Sequence, residues 1–113
     1  MMGEVVWTAS AADDLERVID YVAAESPLDA ARLLDRLLAS AESLTELPSR
    51  GRRVPELADH VEESVRELVV APYRLVYEVV SAPRSQVLLL AVVDGRRDLQ
   101  DLLLERAMGR SRS

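Results

Sequence analysis

The run VLLLAVV at residues 87–93 constrains this chain more than any other stretch. It offers no polar position, so as a strand it buries both faces and lies centrally in a sheet, covered on both sides. It is far too short to cross a bilayer as a helix. The two preceding segments, Val61 to Val70 and Tyr73 to Val80, carry the period-two alternation of strands. Only "AP" and "SAPRS" separate the three, short enough for antiparallel neighbours.

Helical spacing dominates the first part of the chain. Leu15, Val18, Ile19 and Val22 fall at i, i+3, i+4 and i+7, with Thr8 or Ser10 as the cap and Asp13 and Asp14 as first-turn acids. Ser26 is the expected N-cap of a second helix, with Pro27 at its first position. Its stripe reads Leu34, Leu37, Leu38, Ala41 and Leu44, widened by Leu33, and Leu38 is expected to be buried. The short connection makes the two an antiparallel hairpin. Glu4 to Thr8 precedes them as a short strand, and "ELPSRGRRVPEL" follows them as a loop. Asp98 to Met108 returns to helical spacing, and the tail 109–113 is expected to fray.

The expected fold is therefore α+β, β-α-α-β-β-β with a C-terminal helix. The N-terminal strand and helical hairpin pack on a three- to four-stranded antiparallel sheet. At 113 residues the chain reads as one domain spanning 1–113. The hairpin covers one face of the sheet, and only the short C-terminal helix remains for the other. An exposed apolar face of that kind marks a partner site.

Charge adds a second asymmetry. The net charge of −6 argues against a general nucleic-acid binder. Residues 1–49 hold 3 Arg against 10 acids, whereas residues 50–113 hold 11 Arg against 10. Every basic residue is arginine, a planar fork suited to carboxylate or phosphate. Arg66 and Arg74 lie on consecutive strands, and Arg96 and Arg97 close the third. With Arg50, Arg52 and Arg53 they can form a positive patch that binds a target or partner. The alternative is ordinary surface ion pairing of Arg66 and Arg74 with Glu62, Glu67 or Glu78. Either way Arg74 is expected at the surface, and its removal to change stability by less than about 1 kcal/mol.

Little else points to chemistry. His60, the single histidine, has no nucleophile beside it, and without cysteine a zinc site is not expected. No glycine-rich phosphate loop is present. The adjacent acids Asp13–Asp14 and Glu62–Glu63 diverge on a helix or strand, so a solvated surface is their expected setting. No catalytic residue, metal or cofactor is assigned. The first ten residues lack the features of a signal peptide, and the absence of cysteine suits a reducing cytoplasm.

Four stretches together carry a resemblance. "WTASAADDLERVIDYVAAESPLDAARLLDRL", "LPSRGRRVPEL", "VRELVVAPYRLVYEVV" and "VLLLAVVDGRRDL" are similar, in order and spacing, to successive blocks of the ParE-type toxins of the RelE/ParE superfamily. The match runs from about Val6 to Leu103. It implies the toxin of a plasmid-stabilising type II toxin–antitoxin pair that causes growth arrest and is neutralised in a hetero-oligomer by a small ParD-like antitoxin. ParE-type members poison DNA gyrase, and RelE-type members cut mRNA on the ribosome. Arg74 matches the family's strand arginine and Arg96 the one after the last strand. Leu102 falls where RelE-type enzymes place a tyrosine, and leucine cannot exchange a proton. Asp94 stands where ParE-like sequences often carry histidine. The resemblance thus favours a cytoplasmic gyrase inhibitor without sequence-specific nucleic-acid binding or membrane attachment. A RelE-like endoribonuclease is the alternative, with Tyr73, Tyr77 or Glu78 as proton donor. A non-toxic antitoxin-binding remnant is a third reading.

Overall fold

The computed structural model describes residues 3–57, 64–81, 83–95, 102–104 and 106–107. The chain runs β1 (Glu4–Trp7), α1 (Ala9–Ala23), α2 (Pro27–Ser43), β2 (Arg52–Arg53), a single 3-10 turn (Pro55–Leu57), β3 (Val65–Val70), β4 (Tyr73–Val80) and β5 (Gln86–Asp94). Residues 102–104 and 106–107 are helical. The strands form one sheet in the order β1-β5-β4-β3-β2. β1 runs parallel to β5, and every other pairing is antiparallel. The α+β reading therefore holds, with a short edge strand in the segment expected to be a loop throughout. Residues 61–63, 98–101, 105 and 108–113, included in the expected second strand, final helix and tail, lie outside the described residues.

Local chemistry sets the helix starts. The Thr8 hydroxyl accepts from the Ala11 amide at 3.2 Å and donates to the Leu89 carbonyl at 2.7 Å, so one cap fixes both the helix and its height on the sheet. Ser26 caps α2 through the Asp29 amide at 3.2 Å, with Pro27 at the first helical position as expected.

One cluster lies between the hairpin and the sheet. Leu33, Leu37, Ala41 and Leu44 of the second helix and its end meet Leu68, Val70, Tyr73, Leu75, Tyr77, Val87, Leu89 and Val92. Leu38 is 43% exposed, contrary to its expected burial. The inner row is set by Leu33 and Leu37, one turn apart, and Leu38 lies about 100° around from Leu37. The side chains of α1 that pack on this cluster, Leu15, Val18, Ile19 and Val22, are only partly buried.

The second face is better covered than the sequence reading expected. Val54 and Leu57, from the connection after α2, join Leu103 and Ala107 over Val65, Val76, Leu90, Ala91 and Val93. The apparent deficit of cover came from treating that connection as a solvent loop. A register shift between Val76 and Tyr77 contributes: Val76 pairs with Ala91 and Tyr77 with Leu89, leaving Leu90 unpaired in β5. The bulge turns consecutive Leu90 and Ala91 toward the same outer cluster.

β1 ends opposite Leu89 and leaves the rest of the β5 edge open. Asp14 takes its place. Expected as a solvated first-turn acid, it is 6% exposed and accepts the Val92 amide at 3.1 Å. It also binds Arg17 at 2.8 Å and pairs with Arg106, whose other bond is to the Leu90 carbonyl at 3.3 Å. An ion pair thus completes a strand edge that backbone leaves unmatched.

Leu37→Ala is expected to cost about 2–5 kcal/mol by emptying a fully buried site, and Leu38→Ala less than about 1 kcal/mol. Urea denaturation midpoints of the two variants provide the comparison.

Candidate functional site

β4 fixes what its arginine can reach. Tyr73, Leu75 and Tyr77 point into the hairpin-side cluster, so Arg74 and Val76 point to the outer face. The 3-10 turn Pro55–Leu57 covers that face and brings a carboxylate to the arginine. Arg74 donates to Glu56 through both terminal nitrogens, at 2.7 and 2.6 Å. One of them also reaches Glu67 at 3.3 Å, across the diagonal of the β3–β4 ladder. Glu67 has a fully buried side chain and accepts Arg52 Nε at 2.7 Å. Two arginines and two glutamates therefore form one neutral chain, Arg52–Glu67–Arg74–Glu56.

This overturns the expectation that Arg74 lies exposed. Its side chain is 6% accessible. The hydrogen bonds to Glu56 are the largest effect raising its pKa; burial opposes them, and the charges of Glu67 and Glu56 add to them. The guanidinium thus stays charged where an isolated cation would be costly. Asp94, across from Tyr73, belongs to the same end of the sheet. Arg96 and Arg97 lie outside the described residues.

Arg66 is elsewhere. It pairs with Tyr77 across the ladder and so points to the hairpin side, opposite to Arg74. Arg66 and Arg74 occupy opposite faces of the sheet, so these two do not share the single patch that consecutive strands suggested. Arg66 donates to the Gly51 carbonyl at 2.8 Å, and the Gly51 amide donates to the Tyr77 hydroxyl at 2.9 Å. A side chain at Gly51 has no room: a Cβ there would stand 2.5 Å from that hydroxyl and 2.6 Å from the Glu67 carbonyl. Tyr77 is wholly buried, and desolvation pushes its pKa up, against the lowering effects of the Gly51 bond and of Arg66 and Arg50. Its hydroxyl is interior.

Sequence reasoning missed Glu56 and Asp14. Glu67 was named only as a possible surface partner of the arginines. For Glu67 a signal exists, an acid on one strand and an arginine on the next, on matching faces across a tight turn. For Glu56 there is none, since its position depends on the path of an irregular connection. Among the described residues no cluster of His, Cys, Asp or Glu able to hold a metal occurs, and no helix is long and apolar enough to cross a membrane.

Arg74→Ala is expected to destabilise the fold by about 3–5 kcal/mol, because two carboxylates lose their buried partner. Equilibrium denaturation measures this. Tyr77→Phe should cost about 1–3 kcal/mol by orphaning the Gly51 amide. Because the fold favours the neutral phenol, the stability Tyr77 contributes is complete below its unfolded value near 10.0 and declines as pH rises through the higher folded value. A pH series of thermal midpoints should show this alkaline loss in the native chain and a reduced one in the phenylalanine variant.

Comparison with known proteins agrees with this architecture. Toxin RelE2 of Caulobacter vibrioides is 44% identical over 71 residues, covering 63% of this chain and 73% of that protein. A solved structure of the chromosomal ParDE TA system from P. aeruginosa superposes with a TM-score of 0.64, at 23% identity, over 82% of this chain and 96% of the other, and shows the same fold. The family model for the ParE toxin of type II toxin-antitoxin system, parDE, matches residues 5–99. The chain belongs to the ParE toxin family of the RelE/ParE superfamily.

Proposed function

We propose that this ParE-family toxin acts in the cytoplasm, is neutralised there by a cognate ParD-like antitoxin in a hetero-oligomeric complex, and when free obstructs DNA gyrase through noncovalent contacts. The observation that carries the reading is the state of the outer sheet face. Arg74, the residue matching the family's strand arginine, is committed to Glu56 and Glu67. Leu102, at the position of the RelE-type tyrosine, packs against the outer apolar cluster. Tyr73 and Tyr77, two of three candidate proton donors, are buried on the other side of the sheet. A surface organised in this way suits binding better than acid–base scission of RNA.

Antitoxin contact belongs on the hairpin side. Tyr21 on α1, Leu28 and Leu38 on α2 and Leu47 just beyond it are exposed at 79, 59, 43 and 62%. A segment that folds on binding can lie along such a surface. Of the arginines singled out from sequence, Arg66 faces this side and is assigned to partner contact, whereas Arg74 holds the scaffold. Arg96 and Arg97 retain a target-binding assignment on sequence grounds.

A second reading, a RelE-like endoribonuclease, draws on the name of the Caulobacter relative and on Glu78, which is partly exposed on the outer face. Induction without antitoxin separates the two. The gyrase reading expects growth arrest with stalled gyrase–DNA cleavage complexes and intact ribosome-bound mRNA. Cut mRNA that disappears in Glu78→Gln would establish the nuclease instead, and no arrest at all would indicate a remnant that only binds antitoxin.

A further inference from the structure

We infer that Arg50 and Arg66 form a binding site for a carboxylate borne by a polypeptide partner, at the junction of the α2–β2 connection and β3. The inference rests on the partner-contact role proposed for Arg66 and adds a second residue and the ligand chemistry. Arg66 donates to the Gly51 carbonyl and Arg50 directly precedes Gly51, whose amide meets the Tyr77 hydroxyl, and both charges lower the pKa of that hydroxyl. Each spends a donor on a neutral acceptor: Arg66 on the Gly51 carbonyl, and Arg50 on the Ser43 hydroxyl at 2.8 Å. Among the described residues neither makes a salt bridge, in contrast to Arg17, Arg52, Arg74 and Arg106, which all do. Two forks without a salt bridge among the described residues, in a chain of net charge −6, leave several N–H donors for an incoming oxyanion.

The surroundings favour a polypeptide. Arg50 is at one end of an open depression of about 370 Å³ lined by Glu46, Leu47, Pro48 and Ser49, with Leu47 mostly exposed. A peptide brings an apolar side chain beside its carboxylate and can use both features; a phosphodiester backbone cannot. Glu46, at the same depression, disfavours a ligand carrying charge along its whole length. The positions are also rigid. Gly51 is held from both its amide and its carbonyl, which fixes the backbone beside Arg50 and one donor of Arg66 before binding.

The test follows the arginine Nε–Hε resonances by NMR at constant ionic strength. The native chain is titrated with a blocked peptide carrying one glutamate between two leucines, with inorganic phosphate, and with a single-stranded oligonucleotide. The expected result is a saturable shift of Arg50 and Arg66 by the peptide, at an affinity at least about fivefold above that for phosphate. In the Arg50→Gln/Arg66→Gln chain that affinity should fall about tenfold. Glutamine at 66 keeps a donor for the Gly51 carbonyl, and Arg50→Gln alone, at an exposed position, should still weaken binding by about threefold if the double variant does not fold. No saturable shift, or phosphate or oligonucleotide binding as tightly as the peptide, would overturn the site. Growth arrest and antitoxin capture by the native chain are read separately. If both fail, the toxin reading fails; if both persist while the peptide leaves the arginines unmoved, only the carboxylate site does.

Discussion

The bond between Arg74 and Glu56 is what the outer half of this molecule depends on. β5 is apolar on both faces, and a sheet with such a centre is unstable unless each face is closed. On the hairpin side two amphipathic helices do this. On the other side the cover is an irregular connection, which has no repeating hydrogen bonds of its own. Glu56 fixes it to the sheet at 2.6 and 2.7 Å, and Val54 and Leu57 on either side then reach the outer cluster. Apolar burial supplies the driving force, and the ion pair selects the path along which the connection runs.

Burying that pair requires the rest of the network. Arg74 alone between two carboxylates would leave an excess negative charge in the interior. Arg52, half in solvent, restores neutrality by binding Glu67. The same arrangement recurs at the opposite edge, where Asp14 receives a backbone amide and two arginines, one of them from the C-terminal segment. Both networks join segments distant in sequence, so they act as tethers for elements that secondary structure does not hold. Removing either end exposes apolar strand surface as well as an uncompensated charge. Among the described arginines, Arg17, Arg52, Arg74 and Arg106 are bound to carboxylates within the fold, whereas Arg36, Arg50 and Arg66 direct bonds to neutral groups.

Periodicity made much of this legible in the sequence, but not all of it. The helix caps at Thr8 and Ser26, the hairpin and the three long strands follow from side-chain spacing, because local geometry dictates them. Which side of α2 faces inward was less secure. With Leu33, Leu34, Leu37 and Leu38 all apolar, two neighbouring stripes are nearly equivalent, and only packing on the sheet selects Leu33 and Leu37. The β5 bulge at Leu90 could not be anticipated in a run without polar residues to mark the faces. Arg66 and Arg74 are an even number of residues apart, yet a turn between antiparallel strands resets the parity and sends them to opposite faces. Glu56 and Asp14 became partners only through tertiary contacts, which spacing does not encode.

The central claim is that the Arg74–Glu56 bond holds the outer face closed, and a double-mutant cycle tests it directly. Denaturation free energies are measured for the native chain, Arg74→Met, Glu56→Gln and the combination. The account predicts a coupling energy of about 2 kcal/mol or more, with loss of amide protection around Val54 and Leu57 in each single variant. Additive effects with protection unchanged would show that the connection holds its place without the ion pair, and would contradict the account.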